Sequence, residues 1–370
     1  MQLISIQLLR AAAALSVTIG HGQAFIGIPM EKLGQSYNWS HLLPWGAGVD
    51  LFFVISGFIM VYASERLFAQ PGATGVFAWR RLTRIAPLYW SATALLLARD
   101  VVKRQFGWDA ADLVTSFLFI PWDTYHNGVP RPIYSLGWTL NYEMFFYATF
   151  ALFIGARREV AVALATAFLS ALVLLGSVHP FENPMLMVWT QPIVFEFVFG
   201  MGLALLARRG FTLPGPARGL LIVAAVAALL WDFLDSPSHP YDWMTPNDFA
   251  RVFAWGVPAA MLVASAALKS AWAGASSRVT RAGVTLGDAS YALYLCHPIV
   301  MAPFAKGWFF LGADRLLPAR AGVAVEVGLS VIVALAIYRW FERPTTRRLQ
   351  GLSWERGEKP AASAEPRALI

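Results

Sequence analysis

The chain has 370 residues, of which 57% are hydrophobic and only 14% charged, with a net charge of +7. A soluble domain carries about 25% charged residues, and a fold of this size must cover a large polar surface, so a water-soluble enzyme is excluded. Disorder is excluded by 26 Phe, 15 Trp and 11 Tyr, and a β-barrel by long unbroken apolar runs in place of short alternating strands. What remains is an all-α polytopic membrane protein. A bilayer-crossing helix needs about 20 mostly apolar residues. About ten segments qualify in chain order: roughly 4–25, 45–64, 85–103, 137–155, 160–178, 186–207, 217–234, 250–268, 287–308 and 321–341.

The first of these is not a signal peptide. It has no basic leading region, carries Arg10 in its interior and lacks a cleavage site after it. The longest loop is 104–136; its apolar piece, 113–122, is too short to span and reads as re-entrant or interfacial. The chain divides into a membrane domain, 1–345, and a Glu-, Lys-, Pro- and Ala-rich tail, 346–370, expected to be cytoplasmic and disordered. No internal repeat is visible. The lone Cys296 and six scattered histidines leave no set of metal ligands at ligand spacing.

Basic residues set the orientation. With the N-terminus cytoplasmic, the inner segments hold nineteen Lys and Arg, among them Arg80, Arg81, Arg84, Arg157, Arg158 and Arg343. The outer segments hold nine and are comparatively acidic. Both termini are therefore expected inside. The positive charge is a topology signal, and nucleic acid is not needed to explain it.

Ionisable side chains in the hydrocarbon region are costly and are functional candidates by default. Arg10 and His21 are 11 residues apart, about three helical turns plus roughly 20°. They share one face, about 16 Å apart along the axis. The competing reading is that Arg10 snorkels and His21 satisfies an interhelical hydrogen bond. Asp50 opens the second span at a depth close to that of His21. Ser56 and Gly57 form a small-residue patch whose simplest role is packing. Arg81 and Arg84, three apart, can share a helix face and clamp phosphates bidentately, whereas Arg80 reads as a positive-inside anchor. Glu143 lies a few residues inside the outer boundary of the fourth span, among Trp138, Asn141 and Tyr142. Glu196, Asp288, His297 and Glu326 are further buried candidates. Structural pairing is the favoured reading for Glu196 and Glu326, and Pro298 disturbs the helix beside His297.

Taken together these residues resemble the acyltransferase-3 family of integral-membrane O-acyltransferases. The resemblance rests on Arg10 through ten residues to His21, Phe52-Phe53-Val-Ile-Ser56-Gly57-Phe58 and Arg81-Leu-Thr-Arg84. It continues through Trp138-Thr-Leu140-Asn-Tyr-Glu143, Ser290-Tyr-Ala-Leu-Tyr-Leu-Cys-His297-Pro298 and Phe341-Glu342-Arg-Pro344. The motifs fall in family order to about residue 345. The resemblance implies a multi-pass protein of the bacterial inner membrane that moves an acyl group from acyl-coenzyme A, with acetyl-coenzyme A as the expected donor, to a carbohydrate hydroxyl. The family's histidine maps to His21, its arginine to Arg10, its coenzyme A-binding arginine pair to Arg81 and Arg84, and its acid to Glu143.

The expected mechanism places the donor's phosphates on Arg81 and Arg84 and threads the pantetheine arm inward to His21. His21 serves as general base on the attacking hydroxyl; a covalent acyl-histidine is the alternative route. Glu143 or Asp50 orients the imidazole, and Ser56, Asn141 or Tyr142 supplies an oxyanion donor. Arg10 serves as a phosphate or pantetheine contact or as a helix-pairing charge, since a guanidinium is too weak an acid to exchange protons. The acceptor is an exopolysaccharide, another cell-surface glycan or a secreted glycolipid or natural product, in free or lipid-linked form. The rival is a transporter or flippase of a lipid-linked glycan, which shares the architecture and buried charges.

Overall fold

The computed structural model describes residues 3–37, 44–105, 107–235, 249–269 and 277–354. The acidic outer stretch around Asp242 and Asp248, His41, His239 and most of the expected tail lie outside them. The described chain is helical and contains no named strand; a single isolated bridge joins Asp123 to Arg131.

The helices run in chain order as α1 (Ile4–Lys32), α2 (Gly48–Ala63), α3 (Ala73–Val102), α4 (Ala110–Phe117), α5 (Trp138–Phe153) and α6 (Arg158–Val178). Then come α7 (Pro184–Trp189), α8 (Phe195–Arg208), α9 (Gly215–Asp235), α10 (Phe249–Arg251) and α11 (Val257–Ala267). The chain closes with α12 (Arg278–Asp288), α13 (Ser290–Phe310), α14 (Ala313–Leu316), α15 (Ala319–Ile337) and α16 (Arg343–Trp354). Among the described residues, six helices are long and apolar enough to cross a membrane: Ile4–Lys32, Trp45–Ala63, Ala73–Val102, Arg158–Val178, Phe249–Ala267 and Ala319–Gly351. The sequence-based segments at 137–155 and 186–207 fold as α5 and α8, of 16 and 14 residues. At 1.5 Å per residue these reach about 24 and 21 Å, less than the roughly 30 Å of a hydrocarbon core. Each is preceded by a 3₁₀ turn, Ser135–Gly137 or Pro192–Val194.

The apolar loop piece at 113–122 forms the short helix α4 and the turn after it. A reciprocal capping box starts α4, with Asp109 accepting from the Asp112 amide and Asp112 accepting from the Asp109 amide. The indole of Trp90 donates to the carbonyl of its last residue, Phe117. Residues 346–354 of the expected tail continue α16. This helix docks on α3 through Trp79 donating to the carbonyl of Leu349 and Gln350 donating to that of Arg80.

In lipid the hydrophobic effect does not press helices together, so close backbone approach at small residues has to do so. The crossing of α2 and α8 is built that way. A β-carbon on Gly57 would stand 2.1 Å from the carbonyl oxygen of Phe197, and one on Gly200 2.0 Å from that of Val54. Around this crossing Phe197 stacks on Phe146 at 4.3 Å between ring centroids and packs against Phe53 at 4.8 Å. α1 meets α12 at Gly287 and α2 at Gly48 in the same fashion.

Two π-helical turns interrupt the helices, Val252–Gly256 after α10 and Tyr338–Glu342 after α15. Such bulges re-aim side chains and often occur at functional sites. Here each abuts or contains a buried charge, Arg251 at the first and Glu342 at the second.

Candidate active site

A cavity opens between α1, α2, α3, α5 and α13. Three guanidinium groups face it: Arg10 from α1, and Arg81 and Arg84 from α3. The spacing of three residues puts the α3 pair on one helix face. Because α3 already begins at Ala73, the pair sits within the helix and not in a loop before it. Arg10 is held by its Nε donating to Ser290 Oγ at 3.2 Å. Arg81 lies 5.7 Å from the Phe77 ring centroid, and its buried Nε has no partner. Glu143 supplies the opposing charge in the cavity. Its Oε1 accepts from Ser56 Oγ at 3.1 Å and from the hydroxyl of Tyr147, one turn further along α5. An anion carrying several phosphate oxygens is the ligand such an arrangement suits, because unpaired guanidinium donors gain most from charge-assisted bonds.

The chain thus brings Arg10, Arg81, Arg84, Ser56 and Glu143 to one cavity. Trp138, Asn141 and Tyr142 stand outside the lining. Asn141 and Tyr142 are buried with Oδ1 and the hydroxyl unpartnered, while Trp138 lies 6.0 Å from the Arg251 guanidinium.

His21 is half-buried on the same face of α1 as Arg10. Its Nδ1 lies 2.8 Å from Nε2 of His297 on α13. The ring planes are 19° from parallel, with centroids 4.9 Å apart. That separation is about the N···N distance plus two ring radii, so the rings meet edge to edge. Nδ1 of His297 in turn lies 3.1 Å from the carbonyl oxygen of Leu293. Neither histidine lines the cavity; Tyr294 touches both regions, lining the cavity and meeting the His297 ring at 6.2 Å, edge on. Its hydroxyl is fixed by Thr139, which donates to it at 3.0 Å.

Neither expected orienting carboxylate is seen bonded to His21. Glu143 is engaged with Ser56 and Tyr147, as above. Asp50 is fully buried and accepts two hydrogen bonds from Arg251, each of 2.9 Å. Arg251 is one of the nine basic residues counted with the outer segments. In the fold it is buried, with the Trp255 ring centroid 5.0 Å from its guanidinium. The signal that could have found it is its position at the head of the apolar segment 250–268, where a charge needs a partner. Glu196 is fully buried beside Gly256, against the Asp50 carboxylate and near Arg251, with no other hydrogen-bond partner. Glu326, likewise buried but unpartnered, rests on the bare backbone of Gly22: a β-carbon there would stand 2.9 Å from its Oε1. Structural pairing is thus found for Glu196, with the Asp50–Arg251 pair, and among the described residues not for Glu326. Among the described residues no group of three His, Cys, Asp or Glu is placed to hold a metal ion.

Residues 3–339 match the family described as Acyltransferase domain, acyltransferase-3. The chain is 30% identical over 320 residues to the exopolysaccharide production protein ExoZ of Rhizobium meliloti (strain 1021), covering 86% of this chain and 93% of that protein. It is 25% identical over 320 residues to the acyltransferase MdmB of Streptomyces mycarofaciens, covering 76% of this chain and 77% of MdmB. A third relative, protein 2 in the picA locus of Rhizobium radiobacter, is 28% identical over 191 residues, which is 47% of this chain and 93% of the relative. No solved structure matches.

Proposed function

Since this chain belongs to the acyltransferase-3 family and is a multi-pass membrane O-acyltransferase, we propose that it moves an acyl group, acetyl in the simplest case, from acyl-coenzyme A to a hydroxyl of an exopolysaccharide or another cell-surface glycan. The observation that carries this reading is the convergence of Arg10, Arg81 and Arg84 on one intramembrane cavity. Coenzyme A is a polyanion with a long flexible arm, and three guanidiniums from two helices match its phosphates. The name of the ExoZ relative supports an exopolysaccharide acceptor, and family membership favours an enzyme over a flippase. In this reading the protein lies in the bacterial inner membrane. In it, ten crossings come from the six long helices, from α9 and α13, and from α5 and α8, each lengthened by the 3₁₀ turn that runs into it, and both termini are cytoplasmic.

The phosphates rest on Arg81 and Arg84, with Arg10 beside them, and the arm runs along α1 toward His21. The acceptor hydroxyl attacks the thioester carbonyl, forming the ester C–O bond, while His21 takes the hydroxyl proton. The C–S bond then breaks, and the proton passes to the departing thiolate, leaving coenzyme A as the free thiol. General-base action of this kind contributes about 10²- to 10⁴-fold. Of the expected oxyanion donors only Ser56 lines the cavity; its one proton is donated to Glu143 here, so meeting developing negative charge requires the hydroxyl to turn away from that carboxylate. Glu143 offsets the three cations and orients Ser56 and Tyr147. Asp50 acts by holding Arg251.

Membranes containing the wild-type chain are expected to transfer labelled acetyl from acetyl-coenzyme A to purified cell-surface glycan. Membranes with His21→Ala at equal protein level are expected not to. Label that never reaches glycan overturns the donor and acceptor assignment; wild-type turnover by the variant overturns the base.

A further inference from the structure

We infer that His297 is the positioning residue that sets the tautomer of His21 and so decides which nitrogen is the base. The inference rests on His21 acting as the base. A carbonyl oxygen can only accept a hydrogen bond. The 3.1 Å contact from His297 Nδ1 to the Leu293 carbonyl therefore requires that Nδ1 carry the proton. In the neutral ring Nε2 is then a lone pair. The 2.8 Å contact between that Nε2 and His21 Nδ1 makes His21 Nδ1 the donor. His21 Nε2 is left without a proton and free of the partner ring, which is the state a general base needs.

The arrangement has the logic of a triad in which a second histidine, itself fixed by a backbone carbonyl, takes the place usually held by a carboxylate. Burial makes it exclusive. His297 is 0% exposed, so bulk water does not compete for its Nε2. The two carboxylates at similar depth have other partners, Arg251 for Asp50 and the Ser56 and Tyr147 hydroxyls for Glu143. When His21 Nε2 accepts the substrate proton, Nδ1–H remains aimed at the His297 lone pair, which shares the imidazolium charge without adding a fixed negative one.

The test uses the full-length protein in lipid nanodiscs with ¹⁵N-labelled histidine. Ring nitrogen shifts, assigned with His21→Ala and His297→Gln, are expected to show His21 protonated on Nδ1 and bare on Nε2. The opposite tautomer in the wild type overturns the inference. For kinetics, His297→Leu removes the acceptor at similar volume. Loss of the correct tautomer is expected to lower kcat by about 10²-fold, with KM for acyl-coenzyme A and for the acceptor unchanged. His297→Gln restores a carbonyl that accepts from His21 and an amide that donates to Leu293, and is expected to recover most of the rate. Wild-type kcat in His297→Leu, or equal loss in both variants, overturns the proposal. The spectrum of the wild type decides should the leucine variant fail to fold. An active His21→Ala would instead remove the base reading itself, whatever the tautomer.

Discussion

Asp50 and Arg251 are joined by two parallel hydrogen bonds of 2.9 Å across 201 residues of chain, Nε to Oδ1 and Nη2 to Oδ2. The pair ties the start of α2 to the end of α10, where the π-helical turn begins, and it is almost wholly buried. Removing one member of a buried pair leaves an uncompensated charge and costs about 3–5 kcal/mol. Asp50→Ala is therefore expected to lower thermal stability in detergent sharply. Arg251→Lys should fall between it and wild type, because an ammonium cannot make the two-pronged contact. An Asp50→Ala protein as stable as wild type would show that the pair contributes nothing.

The glycine crossing of α2 and α8 gives a second expectation. A methyl on Gly57 or Gly200 would meet backbone at 2.1 or 2.0 Å, and a carbonyl in a packed helix cannot step aside as a side chain can. Gly57→Ala and Gly200→Ala are each expected to cost about 3 kcal/mol or more, at the high end of overpacking effects. Gly202→Ala, with nothing within 4 Å of the added carbon, is the matched control. Fluorescence size-exclusion profiles of the three variants check this directly.

The arginine pair bears on the donor alone. Each charged hydrogen bond lost to a phosphate removes about 1.5–3 kcal/mol. Arg81→Ala and Arg84→Ala are each expected to raise the KM for acyl-coenzyme A by roughly 10- to 100-fold, at about 1.4 kcal/mol per decade. KM for the glycan acceptor should not move. A change confined to the acceptor would contradict the donor site.

His21→Ala is expected to lower kcat by about 10²- to 10⁴-fold while leaving donor binding intact, since the cavity residues that would hold the phosphates do not include it. Equilibrium binding of a non-hydrolysable acyl-coenzyme A analogue, measured beside turnover, separates the two quantities. Weaker analogue binding equal to the loss of rate would place His21 in the donor site and not at the chemistry.

Much of this protein was legible before folding. Apolar run length made it a helical membrane protein, because a bilayer core tolerates no unpaired backbone. The 11-residue spacing put Arg10 and His21 on one face, and the three-residue spacing did the same for Arg81 and Arg84; the structure keeps both relations because helical periodicity is local. Partnerships between helices were not legible in that way. Depth along a span says how far a side chain reaches across the membrane and not which neighbour it meets, so Asp50 and Glu143 looked equally able to serve His21. Helix packing gave Asp50 to Arg251, Glu143 to Ser56 and Tyr147, and His297 to His21.

Composition and periodicity by themselves determined the solvent this chain lives in, the class of its fold and which charges share a helix face, since those depend on transfer free energy and on 3.6 residues per turn. Only the tertiary structure decided which imidazole stands beside which. Such partnerships depend on how closely backbones approach, as Gly48 and Gly287 do against α1, a property of two surfaces fitting together that no single segment contains.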